Sequence, residues 1–193
     1  MAALTLDLSP IATLTRSEFR KLCTANPDRK LERSPQGELI IMAPTGGETG
    51  NRNFCIAGQL YVWSQTNGQG KAFDSSTGFE LPSGGDRSPD VSWIPLEKWN
   101  ALTPQERKGF LPLCPDFVIE LLSPSDSWTG GQRKMEEYQV NGCRLGWLLD
   151  PKGKRVGIYR PNQPVQILHQ PQILSGEDVL VGFELDVQFL WIE

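Results

Sequence analysis

The chain holds a single histidine, His169, and its four cysteines, Cys23, Cys55, Cys114 and Cys143, form no C-x-x-C pair. Zinc sites need clustered thiolates and imidazoles, so none is expected, and nucleophilic triads built on histidine find little support. The cysteines read instead as reduced, partly buried thiols. No apolar run approaches the roughly 20 residues that span a bilayer. The opening Met1-Ala2-Ala3-Leu4-Thr5-Leu6-Asp7 lacks the basic and apolar regions of a secretory signal, so a cytoplasmic location and no membrane partner are expected. An excess of positive charge is missing too: the net charge is −4, a poor footprint for a protein that coats nucleic acid. Any metal would be a hard, oxygen-bound ion such as magnesium or manganese.

What is present is a chain of 193 residues, 38% hydrophobic, with 19 glycines and 15 prolines. That describes a loop-rich globule, and residues 1–193 fit one domain without repeat, low-complexity tract or linker. Charge is uneven. Arg144, Lys152, Lys154, Arg155 and Arg160 face one acid, Asp150, in their stretch, whereas from Glu177 to Glu193 every charge is acidic. A local nucleic-acid surface and a solvated hairpin tip both account for the basic cluster.

The patterns predict a first helix from Leu14 to Thr24, capped by Thr15 or Ser17. A hairpin follows from Lys30 to Met42, turning at Ser34-Pro35-Gln36-Gly37. A second helix runs from about Glu48 to Gln65 and is stopped by Asn67-Gly68. Short strands are expected at 71–74, 78–81 and 89–94, then a polar helical excursion from Leu96 to Phe110 with Thr103 capping Pro104. A strongly apolar strand, Cys114 to Leu122, leads to a third helix from about Gly131 to Val140. A second hairpin joins 144–149 to 155–159, with further strands at 165–168 and 179–184. The aromatic-rich tail Phe183 to Trp191 reads as core, with a homodimer seam as the lesser reading. This order predicts an α/β or α+β fold, a mixed sheet with helices packed on it and additional hairpins.

The apolar strand carries two acids. In Pro115-Asp116-Phe117-Val118-Ile119-Glu120-Leu121-Leu122-Ser123-Pro124-Ser125, Asp116 and Glu120 lie four apart and therefore point to one face. A buried, unpaired carboxylate costs roughly several kcal/mol, so it takes a proton, a cation or a metal. A second Pro-Asp pair opens Pro89-Asp90-Val91-Ser92-Trp93-Ile94. Proline suits a strand start and aspartate a turn, which alone explains either pair. If the two strands are neighbours, Asp90 and Glu120 converge at one end of a sheet, where a divalent cation relieves their repulsion. Lys134, in Arg133-Lys134-Met135-Glu136-Glu137-Tyr138, sits on the helix returning over that strand. It either reaches the acids, to orient water or stabilise developing charge, or pairs with Glu137 or Tyr138 one turn on.

Pro-Asp-Val, then Pro-Asp-Phe-Val-Ile-Glu-Leu-Leu-Ser-Pro-Ser, then Lys-Met-Glu-Glu-Tyr and Gly-Trp-Leu-Leu-Asp-Pro resemble the bacterial Uma-two family of restriction-endonuclease-like proteins. That family falls within the PD-(D/E)XK nuclease superfamily. The resemblance covers roughly Leu14 to Tyr159 and is most specific from Asp116 to Asp150. It implies a restriction-endonuclease-like fold and a Mg2+- or Mn2+-dependent endonuclease acting on DNA. Asp90 then matches the first metal-binding aspartate and Glu120 the second acid. Glu48, opening the second helix, sits where a helix acid often joins them, although an acid at a helix N-terminus is stabilised anyway. Two residues after Glu120 the superfamily places a lysine; here Leu122 stands there, which implies that Lys134 replaces it. Asp116 ranks as a supporting or capping acid, and Gln132 is within sequence reach. Members of the superfamily commonly pair to cut two strands, so a homodimer is a further expectation. The alternative is a catalytically silent member acting as a nucleic-acid- or protein-binding module, favoured by the acidic charge and the displaced lysine.

Overall fold

The computed structural model describes residues 4–8 and 12–192; residues 1–3 and Glu193, named above, lie outside them. Along the chain the elements are β1 (Leu4–Leu6), α1 (Arg16–Ala25), β2 (Lys30–Arg33), β3 (Leu39–Met42), α2 (Gly47–Asn67), β4 (Gly70–Asp74), β5 (Phe79–Glu80), β6 (Asp86–Arg87) and β7 (Val91–Pro95). There follow α3 (Leu96–Ala101), β8 (Phe117–Leu121), α4 (Trp128–Val140), β9 (Leu145–Asp150), β10 (Arg155–Tyr159), β11 (Gln166–His169), β12 (Ile173–Ser175) and β13 (Glu184–Asp186). The fold is mixed α+β. A central six-stranded sheet has the order β11-β10-β9-β8-β7-β4, and a second sheet the order β1-β3-β2-β6-β5. Strands β12 and β13 pair separately.

Only β8 and β9 in the central sheet run parallel, and α4 is the crossover between them. That connection explains why β8 is apolar on both faces: it is covered on both sides. Its odd positions, Phe117, Ile119 and Leu121, pack with Ile56 and Leu60 of α2 and with the C-terminal Phe183, Leu185 and Leu190. Val118, on the even face, packs with Met135 and Tyr138 of α4. Glu120 shares that face by its spacing. Trp147 is the largest fully buried side chain; its ring stacks on Phe183 at 6.1 Å and meets Phe117 edge-on at 4.7 Å.

Local chemistry sets the ends of the helices. Thr15 and Glu18 form a capping box at the start of α1. Gly68, at φ +69°, takes the left-handed conformation that ends α2. Helix α4 starts three residues before the expected Gly131, because Ser127 accepts the amide of Gly130 and so caps it early. The excursion after β7 divides into α3 and a 3-10 turn, Glu106–Lys108, with Thr103 and Glu106 capping each other. One strand is displaced: residues 179–183 turn instead of extending, and the strand lies at Glu184–Asp186, paired with an unforeseen partner at Ile173–Ser175. Val179, Leu180 and Phe183 are buried, so the apolar run marked core and not strand.

Trp147→Ala should lower unfolding free energy by about 3–5 kcal/mol, measured by urea denaturation, because it opens a void between both halves of this core. A loss below ~1 kcal/mol would show that the core is not closed around Trp147.

Candidate active site

Strands β7 and β8 are antiparallel neighbours with Val91 opposite Ile119. Continuing that register by one step sets Asp90 opposite Glu120, on the face that α4 covers. Directly opposed side chains on such strands have Cβ atoms about 4.5–5.5 Å apart. Asp90 is fixed by its surroundings: its Oδ2 accepts the Leu121 amide at 2.9 Å and its Oδ1 the Asn53 side-chain amide at 3.3 Å. Glu120 Oε1 accepts the Tyr138 hydroxyl at 2.8 Å and lies 2.9 Å from Lys134 Nζ. Lys134 and Tyr138 are one helical turn apart on α4, so the crossover helix delivers both donors to the strand it follows.

Lys134 Nζ also lies 3.0 Å from Glu32 Oε1, an acid on β2 that is 2% exposed. Glu32 Oε2 accepts Arg87 Nη1 of β6 at 3.1 Å, and Arg87 Nη2 binds Glu137 Oε2 at 2.5 Å. Charge therefore alternates from Glu137 through Arg87, Glu32 and Lys134 to Glu120. With Asp90, four acids face two cations, a formal net −2 when every group is ionised.

Burial pushes the Glu120 carboxyl up to about 7 against the pull of Lys134, with Asp90 and Glu32 adding to the rise. Burial would raise Glu32 likewise, but Lys134, Arg87 and the Ser88 amide hold it down at about 2. Burial works against the Lys134 ammonium, yet Glu120 and Glu32 hold its pKa above the ordinary lysine value. The Tyr138 phenol is pushed well up by burial and by the same two acids, so it stays a donor.

The group opens onto a cleft of about 1300 Å³ between the two sheets and α4, walled by Glu32, Arg87, Asp90, Glu120 and Lys134. A glycine lets the backbone approach the cluster: a Cβ on Gly85 would fall 2.1 Å from Glu137 Oε1.

Three of the four expected site residues, Asp90, Glu120 and Lys134, thus gather in one place. Glu48 does not join them. Its side chain is 68% exposed and pairs with Arg52 one turn on at 2.7 Å, as expected of an acid in a first helical turn. Asp116 shares the face of Glu120 but pairs with Lys98 at 2.7 Å, away from the cluster. Gln132 lies beside Tyr159. Lys134 pairs with neither Glu137 nor Tyr138. The sequence reading missed Glu32, Arg87, Glu137, Tyr138 and Asn53. The basic stretch is largely neutralised: Arg144 pairs with Asp178, Arg155 with Asp150 and Arg160 with Glu177.

Among the described residues no group of three or more His, Cys, Asp or Glu side chains is arranged to hold a metal ion. Magnesium does not require one, since it is commonly bound by one or two carboxylates with waters and substrate phosphates filling its octahedron. The hard oxygens of Asp90 and Glu120, and the net −2 around them, fit such an ion. Among the described residues no helix is long and apolar enough to cross a membrane.

A family model described as "Putative restriction endonuclease", Uma2, matches residues 16–188. A solved structure, titled as a putative nuclease belonging to DUF820 from Anabaena variabilis, superposes with a TM-score of 0.77 at 22% identity, covering 92% of this chain and 97% of the other. At that identity the likeness speaks for the fold. No curated protein matches the chain.

The pH dependence of folding follows from Glu120. Its folded pKa, about 7, exceeds the ordinary 4.5, so the folded state holds the proton more tightly. The stability this contributes is fully present below about pH 4.5 and is lost as pH rises through about 7. Glu120→Gln should therefore flatten the metal-free stability profile between pH 4.5 and 7.5, read by urea melts. A variant profile parallel to the wild type would contradict the shift. Glu32 acts in a separate window, losing its contribution as pH falls from about 4.5 through 2.

Proposed function

The chain belongs to the Uma2 family of restriction-endonuclease relatives, and from that premise we propose that it is a divalent-metal-dependent endonuclease that hydrolyses phosphodiester bonds in DNA. The observation that carries this reading is the meeting of Asp90, Glu120 and Lys134 at the cleft, with Lys134 Nζ 2.9 Å from Glu120 Oε1.

The charge balance supports a cation in the reaction. With Glu120 ionised the buried cluster carries net −2 and repels an approaching polyanion, and one Mg2+ or Mn2+ ion would cancel that charge and favour the ionised form of Glu120. Asp90 and Glu120 would hold it. When bound there, such an ion polarises the scissile phosphate and lowers the pKa of a water. The protein supplies the rest. The Leu121 amide and Asn53 fix the direction of Asp90. Tyr138 occupies one side of Glu120 Oε1, which restricts how the carboxylate turns. Lys134 remains an ammonium beside Glu120, so its role is to orient water and offset negative charge developing on the phosphate, not to abstract a proton. Arg29, Lys30 and Arg133 line the same cleft and would meet the flanking backbone phosphates.

A second reading, a catalytically silent nucleic-acid- or protein-binding module, draws on the acidic net charge and on Leu122 standing where the superfamily places its lysine, and predicts binding without turnover across several divalent metals.

Asp90→Asn and Glu120→Gln should each lower Mg2+-dependent cleavage of plasmid DNA by ~10²–10³-fold or more, and Lys134→Met by ~10²-fold. Manganese soaked into crystals should give anomalous density between Asp90 and Glu120. Wild-type rates in both acid variants would remove these roles.

A further inference from the structure

Lys134 has a second counter-ion, one that the cleavage reading leaves unused. Glu32 comes from β2 in the other sheet, 102 residues from Lys134 in the chain. It is fixed by three neighbours: Lys134 at 3.0 Å and the Ser88 amide at 3.0 Å on Oε1, and Arg87 at 3.1 Å on Oε2. Arg87 returns to α4 through Glu137 at 2.5 Å. Lys134 and Glu137 sit three apart on that helix and hence on one face. Lys134, Glu32, Arg87 and Glu137 therefore close a ring that begins and ends on α4 and passes through β2 and β6, two adjacent inner strands of the five-stranded sheet.

A lysine carried two residues after Glu120 would leave the strand on the same face as that acid, whereas Lys134 reaches it from α4. Its side chain turns about four bonds, and one carboxylate leaves its ammonium free to swing. A second carboxylate, brought from the other sheet, restricts that freedom. We propose that Glu32, held in turn by Arg87, is a positioning residue that fixes the Lys134 ammonium against Glu120 and so lets a helix-borne lysine serve where Leu122 stands on the strand. The claim rests on the cleavage reading for its consequence in rate, and on geometry alone for the placement of Lys134.

The test has two arms. In protein labelled with 15N-lysine, Lys134 should give a slowly exchanging ammonium resonance, identified by its loss in Lys134→Met. That resonance should vanish in Glu32→Gln and return in part in Glu32→Asp. In cleavage assays Glu32→Gln should lower kcat by ~10–100-fold with KM little changed, and should add nothing further in a Lys134→Met background. Glu137→Gln, which loosens the ring at its more accessible end, serves if Glu32→Gln fails to fold; it should speed exchange of the same resonance. A resonance that persists in Glu32→Gln, or exchange no faster than wild type in Glu137→Gln where that variant is used, overturns the proposal, as do fully additive losses in the double variant. Wild-type protein that cuts no DNA while Glu32→Gln still abolishes the resonance refutes the cleavage reading and upholds the placement.

Discussion

The burial of Glu120 is the constraint from which the rest of the structure can be understood. A carboxylate inside a strand covered on both faces cannot stay charged alone, and this one has a lysine at 2.9 Å, a phenol at 2.8 Å and a second acid across the strand pair. Meeting that need requires a helix placed directly over the strand, which the parallel β8–α4–β9 unit provides. It also requires that the lysine be balanced on its far side, which brings in the second sheet. A buried ion pair is weak evidence of stability in itself. Here the pairs specify where two sheets meet, and the gap between them becomes the cleft.

The second sheet is tied together by charge as well as by apolar packing. Its core is small, centred on Phe19, Leu31 and Leu39. Around it Asp86, beside Arg87, accepts Arg16 at 3.0 Å and Arg33 at 2.7 Å, while Glu80 takes Arg20. The ends of β5 and β6 are thereby pinned to α1 and β2. Arg33 also reaches the carbonyl of Gly84, so the turn before Arg87 is tied down from both sides. This lattice lies outside the cleft, yet it sets the position of the arginine that holds Glu32.

Much of the central layer was legible in the sequence. A bounded apolar run with an acid in it fixed β8, and two Pro-Asp pairs marked strands that do lie side by side. The helix after β8 pointed to Lys134. What could not be read came from the part of the chain that pairs across long separations. Glu32 lies in Lys-Leu-Glu-Arg, a segment whose charges look like those of any exposed hairpin arm; only the arrival of α4 buries it. Arg87 sat in a stretch that reads as a glycine-rich loop. Glu48 misled for the opposite reason, since a first-turn acid is favoured by local physics whatever the site requires. The C-terminal error has the same root: Val179, Leu180 and Phe183 are apolar because they are buried, and burial does not distinguish a strand from a turn.

The separation of charge by depth gives the cleft two different responses to dissolved ions. Glu32, Arg87, Lys134 and Glu120 are buried or half-buried and pair at contact distance, so their mutual attraction is little altered by ionic strength. Arg29 and Arg133, exposed at the mouth, are screened beyond about 8 Å at physiological salt. Raising salt therefore weakens the approach of a polyanion while leaving the inner geometry as it was. On the proposed reading, capture and alignment of the substrate would then answer to salt separately, through residues at different depths.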